Sequence, residues 1–78
     1  MSIFYFNLSD HTVDPDDEGT ELQSVAEARA QAIMFAGNYL GDNPELLDEG
    51  ATFKVQVADA DRKPLFTIVI NIDETGQI

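Results

Sequence analysis

The chain has 78 residues and carries 15 acidic against 4 basic side chains, a net charge of −11. That length holds one domain and no second core, and the charge opposes direct binding to nucleic acid or anionic membrane, which needs clustered Lys and Arg. There is no cysteine, hence no disulfide and no thiolate metal ligand, so a core this small and unstapled points to oligomerisation.

Residues 3–8, IFYFNL, read as a strand from their β-branched and aromatic content. Ile3 and Tyr5 fall on one side, Phe4, Phe6 and Leu8 on the other, the two-faced apolar pattern of an interior strand. No basic stretch precedes it and no run approaches the ~20 apolar residues of a membrane span, which excludes an ordinary signal peptide and points to the cytoplasm. SDHTVDPDDEG follows as turn sequence, with a short returning edge strand expected within Asp17–Leu22.

The spacing predicts a helix from Val25 to Leu40. Ser24 and Glu27 form the S-x-x-E capping pattern. Val25, Ala28, Ala32, Phe35, Ala36 and Tyr39 share one arc, flanked by Ile33 and Leu40, with Glu27, Gln31 and Asn38 opposite. Gly41 is the expected C′ residue. Asn43 and Pro44 open a further helical turn that ends at Gly50, and Leu46 and Leu47 close one end of the core.

The last third reads as a β-hairpin. TFKVQV alternates, with Phe53, Val55 and Val57 inward and Lys54 and Gln56 outward. ADADRKP is the turn. LFTIVINI returns with Phe66, Ile68, Ile70 and Ile72 on one face and Leu65 and Val69 on the other, and DETGQI, residues 73–78, is a polar tail. The whole, 1–78, is one α+β domain: a three- to four-stranded antiparallel sheet with one principal helix on one face, in β-(β)-α-β-β order. Being apolar on both faces, the final strand is placed centrally, between its hairpin partner and strand 3–8, with the 17–22 segment covering the other edge.

VDPDDEG packs four carboxylates into seven residues. Asp14, Asp16 and Glu18 ahead of Gly19 match the first half of a calcium loop, but Val25 then stands where the closing glutamate belongs, and no helix leads in. An EF-hand is rejected; Asp14, Asp16 and Glu18 remain candidates for a divalent cation outside that motif, and no metal or other cofactor is assigned. The competing reading is a turn with Gly19 at positive φ. Arg29, the only Lys or Arg in the first 53 residues, falls near the apolar arc of the helix, where it must extend outward or pair. It is expected to form a structural ion pair with Asp16, Asp17 or Glu18.

Ser9, Asp10 and His11 have triad composition without triad geometry, since catalytic groups meet through the fold and need an oxyanion hole. No catalytic residue is assigned, and the chain is read as a non-enzyme. One helix covers one face of a sheet, so the opposite face, with Phe4 and Phe6 or else Ile3 and Tyr5 beside Leu65 and Val69, is the candidate interface. Phe4, Phe6, Leu65 and Val69 are the residues assigned to it.

FYFNL, the segment DDEGTEL leading into SVAEARAQAI, and the hairpin FKVQVADADRKPLFTIVI come in an order that resembles a family of very small uncharacterised proteins. That family is common in alphaproteobacteria and known only as a domain of unknown function. The likeness runs from about Ile3 to Ile70, and its most specific part is the acidic Glu-Gly segment followed by EARAQA. The chain departs from the family in its longer approach to the acidic segment and its fewer arginines. The resemblance implies the fold and no activity, ligand or catalytic residue. The reading that results is a cytoplasmic interaction module, homodimeric through an apolar sheet face. The alternatives are an acidic nucleic-acid mimic that regulates a basic protein, and a divalent-cation binder.

Overall fold

The computed structural model describes residues 2–9 and 13–73. Strands β1 (Ser2–Ser9), β2 (Val13–Asp14) and β3 (Thr20–Leu22) precede helix α1 (Val25–Asp42); a 3₁₀ helix, Pro44–Gly50, leads to the hairpin of β4 (Phe53–Ala58) and β5 (Pro64–Ile70). The sheet is antiparallel, open and four strands wide, in the order β2–β1–β4–β5, with β3 also pairing β1. Strand β2 pairs at Leu8↔Asp14, and β3 pairs at Ser2↔Leu22 and Phe4↔Thr20. They are two halves of one returning strand, interrupted at 15–19. The α+β class and the element order are as the sequence implies; residues 10–12 and the tail residues 74–78 lie outside the described residues.

The placement of the last strand is corrected. Strand β4 lies between β1 and β5, and β5 is the outer strand. Strand β4 buries Phe53, Val55 and Val57 completely beneath the helix. Its outward Gln56 and Lys54 lie beside Asn7 and Ser9 of β1, so polar side chains neighbour polar ones on the uncovered face. The second apolar set on β5 does not mark a central strand: Leu65 and Val69 stay 41% and 55% exposed.

Helix α1 begins where the capping pattern places it. Ser24 is extended, and its Oγ accepts the Glu27 N–H at 3.2 Å. Ala28, Ala32 and Ala36, four residues apart, are its buried residues, and without large side chains there the helix lies close over β4. Tyr39 stacks on Phe53 with ring centroids 5.6 Å apart and 14° between the planes. Seating along so narrow a line leaves the flanks of the arc outside, and Val25 and Phe35 are 43% and 37% exposed. Gly41 is not the C′ residue. The helix runs on to Asp42, and Asn43 ends it, donating from its backbone N–H to the Leu40 carbonyl at 3.2 Å and from Nδ2 to the Tyr39 carbonyl at 3.0 Å. Leu46 and Leu47 of the 3₁₀ helix pack on the core. No helix among the described residues is long and apolar enough to cross a membrane.

The alanine contact sets the height of the helix above the sheet. Ala32→Leu is expected to destabilise the fold by about 1–3 kcal/mol through overpacking, whereas Ala30→Leu on the exposed side stays within about 0.5 kcal/mol. Urea denaturation of the two variants measures the difference.

Candidate functional site

The interruption between β2 and β3 leaves a gap in the ladder of β1. Leu8 faces β2, and Phe4 and Ser2 face β3; Phe6 lies between them, opposite Val57 on the β4 side but with no strand partner on this side among the described residues. Its N–H donates instead to Asp16 Oδ2 at 3.1 Å. Asp16 Oδ1 accepts the N–H groups of Glu18 and Gly19 at 3.0 and 3.1 Å, and the Asp16 N–H donates to Asn7 Oδ1 at 2.9 Å. One carboxylate thus pairs the orphan strand amide and folds the loop. Gly19 has φ +78°, as its place in the turn implies. A Cβ there would stand 2.7 Å from Ile3 Cγ2 and 3.0 Å from Tyr5 Cε1, so the position needs glycine for its backbone and for space.

The second part of the site comes from the β4–β5 turn. Asp59 builds it: its carbonyl accepts the Arg62 N–H, its own N–H reaches the Lys63 carbonyl, and its Oδ1 accepts from Asp61 and Lys63, each at 2.9 Å. Arg62 has φ 66°, a left-handed position that glycine usually takes and that costs another residue about 1–2 kcal/mol. From there the side chain reaches back across the sheet. Its guanidinium carbon lies 3.7 Å from the centroid of the Tyr5 ring, and Nη1 donates to the Asp16 carbonyl at 2.8 Å. These contacts offset part of the backbone strain, since a cation over an aromatic face is worth roughly 0.5–1 kcal/mol at an exposed site such as Arg62.

Burial pushes the Asp16 carboxyl up. The N–H bonds from Gly19, Phe6 and Glu18, with Arg62 nearby, outweigh it and hold the group below its usual range. Arg29 is not brought to this loop. Its guanidinium carbon stands 5.8 Å from the centroid of Phe66 on β5, and the cation that meets the loop is Arg62, 46 residues beyond Asp16. Asp17 and Glu18 are exposed. The Asp14 side chain, Asp10 and His11 lie outside the described residues. Among the described residues no group of three or more His, Cys, Asp or Glu converges as a metal site.

Two surfaces flank this node. Between α1 and the 15–20 segment runs a groove of about 360 Å³, with Phe6, Leu8 and Phe35 as apolar lining and Thr20, Gln31 and Asp16 as polar lining. The other surface is the uncovered sheet face, where the interface residues need correction. Phe4 is 4% exposed and Phe6 packs against the core, so both lie beneath the helix. Alternation along β1 places Ile3 and Tyr5 on the uncovered side with Leu65 and Val69. The middle of that face is polar, with Asn7, Gln56 and Thr67 in adjacent strands, and Arg62 covers Tyr5. On that face the more exposed apolar residues, Leu65 and Val69, therefore stand at the β5 edge, while Ile33 and Met34 of α1 are exposed on the helix.

Residues 3–71 match a family model described as a domain of unknown function (DUF6894). The match covers most of the chain, so the chain belongs to that family. No curated protein and no solved structure matches it.

The lowered pKa of Asp16 makes the loop sensitive to acid. Stability from its ionised form is present above the carboxyl's unfolded pKa and is lost as pH falls through the lower folded value. Asp16→Asn, which turns an amide toward backbone donors, is expected to cost about 1–3 kcal/mol at neutral pH. The gap to the native chain should narrow in acid. Denaturant titrations at neutral and acid pH test this, and an equal gap at both removes Asp16 from the acid response.

Proposed function

We propose that this DUF6894 member is a non-enzymatic protein–protein interaction module that works as a homodimer. The observation that carries the reading is the exposure of Leu65, Val69 and Ile72, at 41%, 55% and 53%, along the outermost strand and its continuation. A small domain that leaves large apolar side chains exposed along an edge strand gains by covering them. The Asp16 node supports a structural rather than a chemical role for the acidic segment. Both its carboxylate oxygens are committed to backbone donors, which also weakens the case for a divalent cation. Nothing in the described groove pairs a nucleophile with a base. With no membrane-crossing helix among the described residues, a cytoplasmic setting fits.

A second reading rests on charge. Asp17, Glu18 and Glu21 stand exposed on one edge of the sheet, in a chain of net charge −11, and would suit a basic protein, including one whose nucleic-acid surface they imitate. The two readings differ in their response to salt, because exposed charge pairs are screened and apolar contact is not.

Light scattering over a concentration series should give twice the chain mass, unchanged between low and high salt. Val69→Lys, which sets a charge on the exposed edge, should return the chain to monomer while costing no more than about 1 kcal/mol of folding stability from its place opposite Lys54 on β4. A native chain that is monomeric at every concentration sinks the homodimer. Steeply salt-dependent capture of a basic protein by that monomer would favour the second reading.

A further inference from the structure

We infer that the second copy adds edge to edge, β5 against β5 in antiparallel register centred on Ile68, making one continuous sheet across the dimer. This rests on the homodimer reading and names its surface, its partner and its alignment.

The free edge follows from the ladder. In an antiparallel strand the N–H and C=O of one residue point to the same side, and successive residues alternate. The Phe6 N–H points away from β4 to Asp16, so Tyr5 and Asn7 are the residues whose backbones face β4, opposite Ala58 and Gln56. Val55 and Val57 then turn theirs to β5, opposite Ile68 and Phe66. On β5, the backbone groups of Thr67 and Val69 are left pointing outward, in a strand that among the described residues pairs with β4 alone. Exposed edges of this kind are commonly blunted by lysine, proline, bulges or inward charges. Here the proline and the irregularity stand at one end, where Pro64 opens the strand and the register with β4 shifts at Val57/Ala58, and no charged residue occurs from Pro64 to Ile72.

Charge selects the partner and the register. Two chains of net charge −11 repel, and this uncharged edge is a place where they meet without opposing carboxylates. Its flanks are Lys63 on one side and Asp73 on the other, both exposed. Antiparallel pairing centred on Ile68 brings the Lys63 end of one strand to the Asp73 end of the second copy, once at each end of the contact. Centring one residue earlier, on Thr67, moves Asp73 toward the turn that carries Asp59 and Asp61 instead. The Ile68 register also makes Thr67 and Val69 of opposite copies a hydrogen-bonded pair, their outward groups meeting, and brings Phe66 against Ile70 in the closer non-bonded pair. Ile72, 53% exposed in the single chain, comes to lie near the Pro64 end of the second copy.

The test is solution NMR on an equimolar mixture of isotope-labelled and unlabelled native chain, at a concentration where light scattering shows the dimer. An intermolecular contact between Phe66 Hα and Ile70 Hα is expected. The Thr67 and Val69 amides should exchange with solvent more than about tenfold more slowly in the dimer than in the monomer. A dimer whose Thr67 and Val69 amides exchange as fast as in the monomer overturns the edge contact while leaving the homodimer reading standing. An intermolecular contact between Phe66 Hα and Ile68 Hα overturns the register. A chain that stays monomeric overturns both the reading and this inference.

Discussion

The Asp16 carboxylate does the work of a missing piece of strand. A returning strand that pairs with β1 at both ends but not in the middle would leave the Phe6 amide without a partner at the edge of the core. A lone unsatisfied backbone donor there costs as much as many whole contacts contribute. Asp16 answers that donor with one oxygen and uses the other to hold Glu18 and Gly19. The loop can therefore depart from the strand and come back in time for Leu22 to enter the core and for Ser24 to cap the helix. The position of α1, and through it the alanine contact with β4, follows from how that short loop is tied.

Arg62 joins this local device to the other end of the chain. Held at positive φ by a turn that Asp59 organises, it crosses over Tyr5 to the Asp16 carbonyl. The acidic segment and the hairpin turn are thereby fastened through the edge of β1, and Gly19 fits beneath Ile3 and Tyr5 because no side chain intervenes. The excess of carboxylates in the segment divides by this criterion. Asp16 is structural, and Asp17 and Glu18 face solvent, where they add charge.

Much of this was legible in the residues. Ser24 with Glu27, the alternation of Phe53, Val55 and Val57, and the glycine at 19 each report a local physical requirement, and the structure meets them. Asp16 carried a readable signal too, since an Asp three residues ahead of a glycine is a turn pattern in which the side chain bonds the backbone. Strand order was not legible, because either strand of a hairpin can pair with β1 and apolar content does not choose between them. The choice rests on cross-strand matching of Asn7 with Gln56 and Ser9 with Lys54. The face of Phe4 and Phe6 turned on a one-residue parity that the two-faced apolar pattern leaves open. Arg62 was hidden for a different reason: its partner lies 46 residues away, and proximity in sequence favoured Arg29.

The placement of charge gives the outer strand its meaning. A domain this small gains little from its core, and a chain with 15 acidic side chains resists association over most of its surface. Strand β5 is exempt, uncharged along its length, with Leu65 and Val69 exposed on its outward face, and fixed in orientation by the same turn that sends Arg62 back to the loop. An edge so prepared is a hazard in a monomer, because any extended chain can pair with it. In the proposed dimer a second copy satisfies the backbone of that edge, sets Val69 beside Thr67 of the second copy and keeps the carboxylates apart. The physics that makes the strand a poor choice for solvent makes it a good one for self-contact.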